Sequence, residues 1–182
     1  DIDAATYVTT DNMVKYRGGV LPFEGVPNID KVTEYKKGDI LISNIRPNLK
    51  KIWQADEDGG CSNDVLVFRN TRKDEIHDEY LNIVLSSDTF FDYMMVGKTG
   101  VKMPRGDKKA IMKFDIPIIP IDIQKQIISE IEDLSREKEN TIQSIKQNEL
   151  LLESYIRSID GDEMKLSSVF SLSSGSMLSK KN

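Results

Sequence analysis

Two stretches of this chain concentrate side chains able to grip a polyanion. Residues 42–54 hold Arg46, Lys50 and Lys51 with no acidic residue, and residues 98–113 hold six Lys or Arg against one Asp. The first stretch also carries Asn44 and Asn48. The second opens as GKTGVKMPRGDKK (97–109), a Gly-rich basic loop with no apolar period. A net charge of −5 argues on its face against nucleic acid. Distribution outweighs the sum, however. A protein that held phosphates along its whole length would be basic throughout, whereas one that holds them with two loops needs only a local excess.

Catalytic sets are hard to assemble from what is present. His77 is the only histidine and Cys61 the only cysteine. A zinc site therefore lacks ligands, and a Ser-His-Asp set would have to use a histidine from a charged region; a surface histidine near a helix start is the expectation. GKT at residues 97–99 lacks the glycine of a phosphate loop five residues earlier, where Asp92 stands. Asp30 with Glu34-x-Lys36 resembles a fragment of a nuclease metal site, but such triplets arise by chance in a charged chain and this one falls on a turn. No Asn-Pro-Pro-Tyr and no Gly-rich cofactor loop occurs. The expectation is a chain that catalyses nothing. A lone cysteine rules out an intrachain disulfide and fits a reducing cytoplasm, and no apolar run approaches a membrane span. The chain opens on Asp1, without a signal peptide, which suggests a processing boundary.

The elements that would position the basic loops read as an α+β fold. Strands are expected over residues 5–10, over residues 40–45 ending at Pro47, over residues 64–69, and over residues 113–119 ending at Pro120. Gly18-Gly19, a loop around Gly25, Pro27 and Asn28, and Gly59-Gly60 supply turns. Residues 78–96 carry a helical apolar pattern. The longest regular pattern runs through Ile127, Ile131, Leu134, Lys138, Thr141, Ile145, Asn148, Leu152, Tyr155 and Ile159, in alternating steps of four and three. That is the a/d seam of a coiled coil, with Asp122 offering an N-cap oxygen and a length of roughly 50 Å at 1.5 Å per residue. Three polar seam positions would fix register and partner number. A rod of that length overhangs the body that the remaining residues can build, so pairing with a second helix is expected. The tail, residues 165–182, reads as a strand (Leu166, Val169, Phe170, Leu172) and a Ser-Gly turn, more like the opening of a domain than its close.

Three stretches together resemble the DNA specificity subunits of type I restriction-modification systems. They are YVTTDNM (7–13), GDILISNIRP (38–47) continued by GGCSNDVLVFR (59–69), and the loop at 99–105 leading into FDIPIIPIDIQKQI (114–127), where Gln124 falls near the first turn of the long helix. VFSLSSGSMLSK (169–180) looks like the start of the same domain. Subunits of this family carry two recognition domains, each followed by a long helix, with the helices packed antiparallel. The resemblance therefore implies a half-length, circularly permuted module: a target recognition domain over residues 1–120, a spacer helix over 121–160, and a tail (161–182) completing the partner's domain in a homodimer. It implies an interrupted-palindrome target on double-stranded DNA, and a methyltransferase subunit and a nuclease-translocase subunit as partners that bring the chemistry, so no cofactor is expected here. Lys50, Lys51, Lys98, Lys102 and Lys108 become candidates for phosphates, Arg46 and Arg105 for guanine, and Asn44 and Asn48 for adenine, with Thr99 in the same set. Ile127, Ile131, Leu134, Ile145, Leu152, Tyr155 and Ile159 become the dimer interface. The competing class is a coiled-coil tether with no DNA role, which the low basicity favours.

Overall fold

The computed structural model describes residues 6–25, 32–98, 100–161, 164–169 and 171. The chain divides into two compact units, Asp1–Leu134 and Ser135–Asn182. The described strands belong to the first unit and form two three-stranded sheets, β1-β5-β2 and β4-β3-β6. Strand β1 (Tyr7–Val8) runs parallel to β5 (Gly59–Cys61), and β2 (Thr33–Tyr35) runs antiparallel to it. In the second sheet β3 (Ile40–Ser43) lies between β4 (Ile52–Gln54) and β6 (Val65–Phe68), antiparallel to both.

Strand β3 organises the unit. A half-buried strand would alternate apolar and polar positions, but all four residues of β3 are buried. Side chains alternate faces along a strand, and here each face has its own core. Ile40 and Ile42 join a cluster with Ile52, Tyr80, Leu81, Leu85, Phe90, Phe91 and Met94, while Leu41 joins another with Val8, Tyr35, Cys61 and Val65. A strand covered on both faces reads as continuous apolar sequence. In the first cluster Phe90 meets Phe114, Phe91 and Phe68 edge-on at 5.0, 5.9 and 6.3 Å between ring centroids, a geometry that ring quadrupoles favour. In the second, burial pushes the Cys61 thiol up to about 12, so it is protonated and inert at neutral pH.

Several sequence expectations are corrected. The Gly59-Gly60 turn is a strand instead: a side chain on Gly59 would run into the Tyr35 hydroxyl and the Thr6 carbonyl, so glycine is what lets β5 lie against β1 and β2. Residues 78–96 form two helices, α1 (Asp78–Leu85) and α2 (Asp88–Met95), because Ser87 caps the second by accepting the Phe90 N–H at 3.2 Å. The strand expected over residues 113–119 is absent. Pro117 and Pro120 have no N–H to give to a ladder; the segment has no strand pairing and half-buries Phe114, Ile116 and Ile119 on the first core. The basic loop ends in a short helix, α3 (Lys108–Ile111), started by Asp107, whose carboxylate accepts from the Lys109 and Ala110 amides at 2.9 and 3.2 Å. Those two bonds hold the Asp107 carboxyl below its ordinary value. Of the first expected strand, Ala5 lies outside the described residues, as do Pro27 and Asn28.

Helix α4 covers Ile121–Ser158, 38 residues, about 57 Å at 1.5 Å per residue. Asp122 is in its first turn rather than at the N-cap, where a carboxylate still complements the helix dipole. Gln124 is fully buried. Its Oε1 accepts the His77 N–H at 2.9 Å, and its Nε2 donates to the Glu75 and Ile119 carbonyls at 2.7 and 2.8 Å. One side chain thus ties the start of α4 to the turn before α1. His77 is half-buried at the N-cap of α1, with no cap bond from its side chain. Beyond Ser158 the expected tail strand is corrected to a four-residue helix, α5 (Leu166–Val169), in its described part; Phe170 and Leu172 lie outside the described residues.

Candidate nucleic-acid interface

The first basic stretch continues from β3 into a tight turn. Pro47–Leu49 make one turn of 3-10 helix, closed by the Lys50 N–H bonding the Pro47 carbonyl at 2.8 Å. Both flanking residues are cationic and left-handed, Arg46 at φ 50° and Lys50 at φ 50°. Such a backbone costs a non-glycine residue roughly 1 kcal/mol or more and is concentrated at functional sites. The second basic stretch docks against the first. Ile45 pairs with Arg105 in an isolated bridge, the Arg46 N–H donates to the Pro104 carbonyl at 2.8 Å, and the Gly106 N–H donates to the Asn44 carbonyl at 3.1 Å. Gly106 is required at this contact, since a Cβ there would meet Asn44 Oδ1, Ile111 and Met94. Two loops about sixty residues apart in sequence thereby share one surface.

A third loop, which the sequence did not single out, completes it. The Tyr16 N–H bonds the Leu49 carbonyl at 2.8 Å and the Arg17 N–H bonds the Lys50 carbonyl at 2.9 Å. Tyr16 and Arg17 are also left-handed, at φ 56° and 65°. All four non-glycine residues with positive φ among the described residues therefore fall on two loops that touch. Asp88, at the start of α2, gathers their cations: it accepts from Lys50 Nζ at 2.7 Å and from Arg17, whose Nε also donates to the Ser86 carbonyl at 2.6 Å. The Lys50 and Arg17 bonds hold the Asp88 carboxyl below the usual range. The YRGG run at residues 16–19 was legible only as a turn, because nothing local says which neighbour a turn will meet.

Not every candidate is equally available. Arg46, Asn48, Lys102 and Arg105 are exposed. Arg105 is paired with Asp64 at 2.8 Å, an exposed ion pair whose net worth is only about 0–1 kcal/mol, so the carboxylate exchanges readily for another anion. Lys51 donates to the Thr10 carbonyl, and burial is the largest cause of its lowered pKa, with Lys15 and Arg46 adding to the effect. Arg46 and Lys51 line one cleft of about 290 Å³ with Thr10, Asp11, Ser43, Ile45, Leu49 and Met103. Asn44 is only 6% exposed, its amide turned toward Gly106 rather than to solvent. Lys98 bonds the Val96 carbonyl at 3.3 Å past the end of α2, and Lys108 lines a different groove, along β6. Thr99 lies outside the described residues. Asp30 does too, and Glu34 and Asp58 are both engaged by Lys36 Nζ, at 2.5 and 3.2 Å; no group of three metal-ligating side chains occurs among the described residues.

The long helix divides its apolar positions. Ile127 and Ile128 are half-buried and pack on the first core, so the pattern's first residue also serves the chain's own domain. Ile131, Leu134, Ile145, Leu152, Tyr155 and Ile159 are all exposed, Leu134 and Leu152 at 60% each. Among the described residues, no helix is long and apolar enough to cross a membrane.

Residues 23–150 match the family described as type I restriction modification DNA specificity domain. The chain belongs to this family. The type I restriction enzyme EcoDI specificity subunit of Escherichia coli is 28% identical over 101 residues, 56% of this chain and 22% of that subunit. The fold is that of the crystal structure of the HsdS subunit from Thermoanaerobacter tengcongensis, with a TM-score of 0.61 at 22% identity over 88% of this chain and 45% of that one. A structure described under complex assembly and conformational transition of the type I R-M system aligns equally well, at a TM-score of 0.61 and 24% identity. This specificity domain therefore spans less than half the length of the relatives it matches. Gln124, noted in the sequence for its position, proves to be the buried tie at the root of the specificity domain's helix.

Proposed function

We propose that the chain is the DNA-reading part of a type I restriction-modification specificity subunit, cytoplasmic and without chemistry or cofactor of its own. What carries this reading is the joining of the two basic stretches by the Arg46–Pro104 and Gly106–Asn44 backbone bonds, which makes one surface of two local charge excesses. Lys50, Lys51 and Lys102 would neutralise phosphates, with Lys98, Thr99 and Lys108 flanking them. Arg46 and Arg105 would offer their planar forks to guanine and Asn48 its amide to adenine, while Asn44 supports the loop from beneath. The exposed stripe on α4 supports antiparallel pairing with a second copy, through Ile131, Leu134, Ile145, Leu152, Tyr155 and Ile159. In that homodimer residues 1–120 read, 121–160 space, and the tail completes the partner's head. Two identical heads on a rod of that length would select an interrupted palindrome. The helix carries eight acidic and five basic residues, so it would stand off the phosphates and offer its surface to a methyltransferase subunit and a nuclease subunit.

A salt titration of duplex binding by the full chain tests this. The logarithm of affinity should fall linearly with the logarithm of salt concentration, and Lys102→Ala should weaken binding to every sequence alike while flattening the slope by about one unit. No binding to duplex at low salt would overturn the reading in favour of a coiled-coil tether, which the exposed stripe alone would also support. An effect of Lys102→Ala confined to one preferred sequence would remove its phosphate role.

A further inference from the structure

We infer that Tyr16 is a base-contacting residue of the recognition head, one that determines sequence rather than affinity for DNA in general. This rests on the DNA-reading function proposed above and extends it to a loop outside the two basic stretches. Tyr16 is 69% exposed, and among the described residues its ring and hydroxyl have no hydrogen-bond or ring partner. It holds a left-handed backbone at φ 56° although Gly18 and Gly19 follow two and three residues later. A turn built only for economy would give that conformation to a glycine. Instead the loop keeps an aromatic residue there, and two backbone bonds, from Tyr16 to Leu49 and from Arg17 to Lys50, lock it beside the turn that carries Arg46 and Lys50.

The neighbouring cleft points the same way. Ile45, Leu49 and Met103 line it together with Arg46, Lys51 and the polar Thr10, Asp11 and Ser43, and Met103 is itself exposed. A surface that only holds phosphates has no use for apolar lining, whereas base edges in a groove present thymine methyls and ring faces beside their donors and acceptors. An exposed aromatic residue on a pinned loop, next to a cleft that sets three apolar side chains among hydroxyls, two cations and Asp11, has the mixed composition of a groove-reading site. Arg17, held by Asp88 and stacked 5.9 Å over the Phe91 ring, fixes the loop from the other side.

The experiment uses the full chain and a duplex library with randomised positions, from which the wild-type protein selects its preferred sequence. Tyr16→Gly and Tyr16→Ala are then compared with wild type on that selected duplex and on an unselected random duplex, alongside thermal unfolding. The expected result is a roughly tenfold loss on the selected duplex, the scale of one base contact. Binding to the random duplex and the salt slope should not change, and Tyr16→Gly should melt no lower than wild type because glycine relieves the left-handed backbone. Equal losses on both duplexes, or a lower melting temperature of Tyr16→Gly with the loss, would show a structural role and overturn the inference. Unchanged selection by both variants would overturn it while leaving the proposed function standing. A wild-type protein that selects no sequence would remove both.

Discussion

The same residue types are spent in opposite ways at the two ends of this chain. In the unit before Ser135, side chains such as Ile40, Leu41, Leu81 and Phe90 are enclosed in two cores that share strand β3. In α4 after that point, Ile142, Ile145, Leu151, Leu152 and Ile156 are all exposed. Burying one such side chain is worth about 1.5–3 kcal/mol, so the first arrangement sustains a fold, whereas the second gains no such term within the chain. The difference teaches that apolar periodicity alone does not say whose core a stripe belongs to: Ile127 and Ile128 continue the same pattern and do pack on their own unit.

That contrast can be broken or sharpened by substitution. The largest loss of stability is expected from Phe90→Ala, which removes the ring at the centre of three aromatic contacts in the first core and should cost about 3–5 kcal/mol in urea unfolding. Gln124→Leu should follow, at about 2–3 kcal/mol, because it leaves the His77 N–H and the Glu75 and Ile119 carbonyls without their partner. If that variant melts like wild type, the tie at the root of α4 is not structural. Leu152→Asn, on the exposed stripe, should change unfolding of the N-terminal unit by less than about 0.5 kcal/mol yet abolish self-association in sedimentation measurements. A variant that lost stability without losing association would reverse the comparison.

The smallest effect concerns acid. Burial works against the Asp39 carboxylate, but hydrogen bonds from Arg69 and from the Lys36 N–H at 2.8 Å outweigh it, holding the carboxyl below its ordinary value. A folded pKa below the unfolded value of about 3.9 means the contribution is fully present above that value and is lost as pH falls through the folded pKa. Unfolding free energy measured from pH 5 downward should therefore drop below about pH 4, and Asp39→Asn should flatten that limb. An unchanged acid limb would assign it to other carboxylates.

The order of motifs was legible, and so was the long helix, because both are local patterns: four–three spacing without a break, and β3 and β6 as apolar runs between turns. The failures have a common cause. The segment at residues 113–119 has the composition of a strand, but Pro117 within it, Pro120 after it and the first core beside it leave it without strand pairing. Gly59-Gly60 has the composition of a turn, but two neighbouring strands need a residue without a side chain there. Of the candidate interface, the charge excess at residues 42–54 and 98–113 could be counted. The availability of each member could not, since Asp88, Asp64 and Thr10, which occupy Lys50, Arg105 and Lys51, lie some forty residues away in sequence.

What the amino-acid order determined by itself is the long helix, the apolar strands β3 and β6 and the local concentration of charge, because periodicity and the spacing of cations act within a few residues of themselves. Tertiary structure alone decided that three loops meet, that four left-handed residues cluster where they do, and that Gln124 rather than a helix cap holds α4 to its unit. Those are contacts between distant parts of the chain. Their free energy depends on which groups are brought out of water together, and no window of sequence contains both partners.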